Sequence, residues 1–217
     1  MTVIHLLRHG EVYNPDHILY GRLPGYQLSL RGLQQADLAA KYLATRPIGH
    51  VVSSPLERAR QTAAPVAAEF GLEVAIDDRL IEAANALEGT RVEGPLSLAL
   101  NVRKWPFFRN PTRPSWGEPY TEIAERMLAA VLAAVDVVAD LAPAADGRRA
   151  EGVCVSHQLP IYVLRRFLEG QRLFHDPRHR ECGLASVTAI TFVGHDAVEV
   201  DYCEPAAAIV RRTSAGA

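Results

Sequence analysis

The chain has 217 residues, 48% of them hydrophobic and 22% charged, an ordinary globular composition with material for one sizeable core. A net charge of −2 supplies no global basic field, so nucleic acid is not an expected partner. No apolar run approaches the roughly 18 residues that a membrane span needs, and the Ala/Val-rich stretch near 127–145 is cut by Glu125, Asp136 and Asp140. The opening MTVIHLLRHGE lacks a basic segment ahead of its apolar run and reads as a strand, not a signal peptide. Cys154, Cys182 and Cys203 are odd in number and show no paired spacing, which points to reduced thiols in a cytoplasmic protein.

Val3–Arg8 is the first predicted strand, followed by a Gly/Pro/Tyr loop through Gln27. Ser29 is placed to cap a helix with apolar positions Leu33, Ala36, Ala40 and Leu43. A strand at His50–Ser53 leads into Ser54, Pro55 and Glu57, which read as N-cap, first-turn proline and capping-box glutamate. That helix runs toward Phe70, with Pro65 as an expected kink and Gly71 as its stop. A short strand follows at Glu73–Ile76, then a long helix at Tyr120–Leu141. Gly152–Ser156 is a buried strand, and Leu159–Leu168 a helix closed by Gly170. Ser186–Val193 and Ala197–Tyr202 form a predicted hairpin through Gly194–Asp196. Strand–helix alternation of this kind predicts an α/β three-layer sandwich, with a mostly parallel central sheet between helices. One domain is expected over residues 1–205, with 206–217 as a frayed tail. Residues 89–118 fall outside the pattern and are rich in Pro, Arg and aromatics, the character of an inserted lid.

Four blocks carry chemistry. LLRHGE at 6–11 delivers Arg8 and His9 to the carboxyl end of a strand, where ligands gather in open α/β sheets. SSPLERARQTA at 53–63 puts Arg58 in the first turn of a helix, where an anion is favoured. VCVSHQLPI at 153–161 is a second strand ending in a histidine, His157. RLIEAANALEG at 79–89 places Glu82 between a strand and the irregular segment.

In this order and at these separations, the four blocks resemble the histidine phosphatase (phosphoglycerate mutase-like) superfamily, and the resemblance runs from residue 3 to about 205. It implies a phosphomonoesterase in which His9 is the nucleophile that becomes phosphohistidine. Arg8, Arg58 and His157 would hold the nonbridging oxygens, and Glu82 would act first as acid and then as base. Each assignment suits the chemistry. A neutral imidazole is a competent nucleophile near neutral pH, forked guanidiniums match phosphate oxygens, and phosphoryl transfer needs mainly positioning and charge neutralisation. No metal or other cofactor is implied, and the expected partner is a small anionic phosphorylated metabolite. Glu88 and Glu93 are the alternatives for the acid.

The chain also departs from the family. Many members carry asparagine where Pro15 stands, and Asn14 sits one residue early, as a one-residue loop deletion would produce. Asn14 and the backbone of Gly21 are on that reading still expected at the phosphate. Gln158 replaces the glycine that often follows the second histidine. Arg103 and Arg109, among Lys104, Trp105, Phe107, Phe108, Arg113 and Trp116, are expected as lid contacts to substrate. His175 and His179 have metal-like i, i+4 spacing but no third ligand, so a solvated basic loop is expected there; His5 and His50 are read as structural. A shorter insertion than dedicated mutases carry favours a phosphatase over a phosphoglycerate mutase. A non-catalytic binding module is disfavoured because no motif residue is missing.

Overall fold

A computed structural model describes residues 1–91, 117–144 and 146–209. The expected alternation is present, as strands β1 (Thr2–Arg8), β2 (Ile48–Ser53), β3 (Val74–Ile76), β4 (Glu151–Ser156), β5 (Val187–Val193) and β6 (Asp196–Cys203), and helices α1 (Leu30–Leu43), α2 (Glu57–Phe70), α3 (Tyr120–Ala139) and α4 (Gln158–Leu168). They build one sheet in the order β3-β2-β4-β1-β5-β6. The first four strands in that order run parallel, and β5 and β6 pair antiparallel as a hairpin on the far side of β1.

Alternation along the strands feeds two apolar layers. Ile4, Leu6 and Cys154 pack against Ile123, Met127 and Val131 of α3 and Ile161 and Leu164 of α4. Leu7, Val153 and Val155 face the other way, onto Ala39 and Leu43 of α1 and Ala63 and Val66 of α2. Alanines at these helix faces let the helices approach the sheet closely.

Helix α1 begins as expected, with the Ser29 hydroxyl accepting the Gly32 N–H at 3.0 Å. Of the expected apolar positions, Ala36, Ala40 and Leu43 are buried, together with Gly32, Gln35 and Ala39, but Leu33 is 43% exposed. The reason is a backbone contact: a Cβ on Gly32 would lie 2.0 Å from the Glu11 carbonyl oxygen, and one on Gly10 would lie 2.5 Å from that of Gly32. Two glycines thus let the first turn of α1 press against the loop that follows β1.

Helix α2 departs from expectation at its start. Its N-cap is Leu56, with no side-chain cap, and the Ser54 hydroxyl meets both His157 Nε2 at 2.7 Å and the Leu56 N–H at 3.5 Å. Glu57 likewise closes no capping box; it accepts the Gly25 N–H at 3.0 Å and holds the loop before α1. Gly71 ends α2 in the left-handed region at φ 63°, as expected. The tail begins later than 206, since Ala206 is buried in the layer beneath α1 and α2.

Candidate active site

Three neighbouring strands end together, and their register decides what meets. Arg8 of β1 lies opposite Ser156 of β4, and Ser53 of β2 lies opposite Val155. The next residues, His9, His157 and Ser54, therefore emerge side by side. Backbone bonds extend the sheet by one step, from His9 N to Ser156 O at 3.1 Å and from Ser54 N to Val155 O at 2.9 Å. The two imidazole rings stand 5.1 Å apart, tilted by 59°.

His9 is 2% exposed, and its Nδ1 lies 2.7 Å from the Gly10 carbonyl oxygen. A carbonyl can only accept, so Nδ1 carries the proton and Nε2 keeps its lone pair. Burial, reinforced by the cations of Arg8 and Arg58, holds the His9 pKa well below its ordinary 6.5, although the Gly10 carbonyl opposes the shift. The ring is neutral at physiological pH. His157 is buried and held low in the same way, first by burial and then by His9, Arg58 and Arg8. Its Nε2 lies 2.7 Å from the Ser54 hydroxyl, which leaves Nδ1 for the site.

The guanidiniums are anchored by one corner each. Arg8 Nη1 donates to the Cys182 carbonyl at 2.5 Å, and Arg58 Nη2 donates to the Gly21 carbonyl at 2.6 Å. Arg58 is fully buried, with the Tyr20 ring 4.8 Å from its centre. Its position in α2 is fixed through Thr62, whose hydroxyl donates to the Arg58 carbonyl and accepts the Gly10 N–H. Among the described residues, Arg8 Nε, Arg58 Nε, Arg58 Nη1 and His157 Nδ1 are buried with no protein partner. Buried polar atoms without a partner are rare in folded proteins. Four of them around one neutral imidazole form a socket for an oxyanion, and the amino end of α4, which starts directly after His157, adds a favourable dipole.

Above this floor opens a cavity of about 330 Å³, lined by Arg8, His9, Tyr20, Gly21, Glu82, Gln158 and Arg180, among others. Glu82 is half-buried in its wall. Burial raises its carboxyl above the ordinary 4.5, against the opposing pull of the Ala83 N–H and of Arg58, Arg8 and Arg180. Oε1 accepts the Ala83 N–H at 2.8 Å, and the Glu82 backbone carbonyl accepts from Arg22 Nε at 2.6 Å. Glu118 in turn bonds Arg22 at 2.8 Å and Arg126 at 2.6 Å, tying the wall to α3.

The Asn14 amide donates to the Ile18 carbonyl at 2.9 Å and accepts the Ile18 N–H at 3.0 Å, closing its own loop. Gly21 is in place, with its carbonyl turned to Arg58 and a φ of +40°. Glu88 is occupied by the Arg22 N–H and stands outside the lining, while Glu93, Arg103 and Arg109 lie outside the described residues. Gln158 both begins α4 and lines the cavity, where its Nε2 reaches the Cys182 carbonyl at 3.4 Å. The loop of His175 and His179 is not simply solvated: His175 is buried, and Arg180 enters the cavity wall. Ser54, Tyr20 and Arg180 are the members the sequence did not announce; for Ser54, the signal was its place directly after a strand adjacent to the histidine strand.

A family model described as histidine phosphatase superfamily (branch 1) matches residues 4–204. The chain belongs to this superfamily. An uncharacterized protein of Mycobacterium tuberculosis, Rv0525, is 50% identical over 95% of this chain and 98% of its own length. A probable phosphoglycerate mutase of Yersinia pestis, GpmB, is 30% identical over 86% of this chain and 85% of its own. Among solved structures, the mycobacterial glucosyl-3-phosphoglycerate phosphatase Rv2419c complexed with VO3 superposes with a TM-score of 0.74, at 26% identity, over 93% of this chain and 97% of the other. Among the described residues, no helix is long and apolar enough to cross a membrane.

Proposed function

We propose that this superfamily member is a phosphomonoesterase that passes the phosphoryl group through Nε2 of His9. The observation that carries the reading is the set of three buried guanidinium N–H groups and one buried ring nitrogen of His157, all without a protein partner, beside an imidazole whose tautomer leaves Nε2 free. Arg8, Arg58 and His157 neutralise the nonbridging oxygens while Nε2 attacks phosphorus and the ester bond breaks. Glu82, whose carboxyl burial raises above the ordinary 4.5, gives its proton to the leaving alkoxide. Its carboxylate then takes a proton from the water that attacks the phosphohistidine. Orthophosphate leaves and His9 returns neutral, without a metal. The cavity's size and cationic lining suit a small anionic phosphorylated metabolite.

A brief incubation with phosphate-labelled substrate should give an acid-labile, alkali-stable label on His9, and His9→Ala should cut turnover by on the order of 10⁴-fold or more. Activity should survive a chelator. Substantial turnover in His9→Ala, or loss of wild-type activity to the chelator, would overturn the mechanism.

The 30% identical probable phosphoglycerate mutase supports a second reading, in which the same phosphohistidine returns its group to another hydroxyl. Rapid interconversion of phosphoglycerate isomers with negligible phosphate release would favour it.

A further inference from the structure

Arg180 is a cation in the wall of the cavity with no ion-pair partner among the described residues. The carboxylates beside it in sequence are engaged elsewhere: Asp176 binds Arg178 at 2.7 Å, and Glu181 binds Arg165 at 2.7 Å. Among the described residues, Arg180 makes one side-chain hydrogen bond, from Nε to Nε2 of His175 at 2.8 Å. Since a guanidinium only donates, His175 must accept there, and its Nδ1 then donates to the Leu173 carbonyl at 2.6 Å. Both ring nitrogens are committed. The ring is also packed between Tyr162, at 4.8 Å and 66°, and Tyr120, at 5.6 Å and 41°. Burial favours the neutral imidazole that this arrangement needs.

The consequence is a guanidinium pinned through Nε on a rigid post. Its two Nη groups, a fork matched to a pair of anionic oxygens, have no acceptor among the described residues. Arg180 lines the same cavity as His9 but is not part of its floor. Fixing such a side chain in advance lowers the entropy lost when it binds.

We infer that Arg180 reads a second anionic group on the substrate, a carboxylate or a second phosphate, and that His175 is the positioning residue that aims it. The preferred substrates are then phosphomonoesters with a second negative charge a few bonds from the ester. This inference rests on the phosphatase reading for its kinetic test but not for its binding test.

The kinetic test compares 3-phosphoglycerate with glycerol 3-phosphate, which has a hydroxymethyl group in place of the carboxylate. Propane-1,3-diol bisphosphate against propyl phosphate distinguishes a second phosphate from a carboxylate. Arg180 also bears on the Glu82 carboxyl, so the ratio of kcat/KM within each pair is the quantity to read, not either rate alone. Wild type should favour the doubly charged member of one pair. Arg180→Met should shrink that preference about tenfold or more, chiefly through KM, as one charge-assisted fork is worth. Arg180→Lys should restore part of it, and His175→Leu should move the ratio the same way by less. No preference in wild type, or equal losses on both members in Arg180→Met, would overturn the inference. Calorimetric titration of His9→Ala with the same compounds needs no turnover. If the affinity difference appears there and vanishes in the His9→Ala, Arg180→Met double variant, the anion site stands even where the phosphatase reading fails.

Discussion

The floor of the cavity and its walls are held by opposite means. The floor is the end of a sheet, where backbone register alone brings His9, His157 and Ser54 together. The walls are loop segments, and charge fixes them: Glu118 gathers Arg22 and Arg126, Arg22 holds the Glu82 carbonyl, and His175 holds Arg180. A slip of one residue in β4 would turn its side chains over and abolish the floor. The walls can be loosened one ion pair at a time. Phosphoryl chemistry and substrate choice thus rest on supports of different stiffness.

The largest effect that separates the two regions is expected from the wall residue that does chemistry. Glu82→Gln should lower kcat/KM for alkyl phosphates by about 10²–10⁴-fold. p-Nitrophenyl phosphate, whose phenolate leaves without a proton, should lose far less. With burial holding Glu82 above 4.5 and His9 below 6.5, the wild-type rate on alkyl phosphates falls toward alkaline pH as Glu82 ionises and toward acid as His9 protonates. The variant should lose the alkaline limb. Equal losses on both substrate classes would move the acid to another residue.

A smaller effect is expected from Glu118→Gln, which leaves Arg22 and Arg126 without their shared carboxylate. Displacement of the Glu82 loop should cost about tenfold on alkyl phosphates, mainly in kcat. A loss as large as that of Glu82→Gln would show that the walls are less separable from the chemistry than their bonding implies.

The four charged and imidazole groups of the floor were legible in the sequence, as was Glu82 of the wall, whereas Ser54 and Arg180 were not, for a physical reason. Arg8, His9, Arg58 and His157 sit at element ends that hydrophobic period and turn residues mark. Ser54 was read only as a cap because its second partner, the ring of His157, comes from an adjacent strand that only tertiary pairing brings near, while its oxygen still accepts the Leu56 N–H at 3.5 Å. Asn14 was expected at the phosphate by its distance along the chain, whereas its amide is satisfied four residues away by Ile18. Arg180 carried no periodic signal at all. Its role depends on which neighbouring carboxylates are already paired, a property of the folded surface. The layered sheet followed directly from alternation, and Leu33 failed only because two glycines set the angle of α1.

The smallest expected effect concerns the stability of the floor. His9 and His157 have pKa values held below 6.5 in the folded chain, so the unfolded chain takes up protons first as pH falls below that value. Stability should be fully present above it and decline below it, by at most about 1.4 kcal/mol per pH unit for each histidine. Denaturant titrations between about pH 7.5 and about pH 5.5 measure the slope. His9→Asn should flatten it; an unaltered slope would place the proton uptake elsewhere.

The order of strands in the sheet has a consequence for the nascent chain. β1 and β2 are made first, yet they do not pair, because β4 lies between them. A ribosome must pass residue 157 before the central gap can be filled, so the earlier half of the protein carries His9 and Arg58 without the strand that sets the register between β1 and β2. Inserting a late strand between two early ones also makes the decisive contacts distant in sequence, the kind that form slowly. Activity should therefore be among the last properties this chain acquires as it is made.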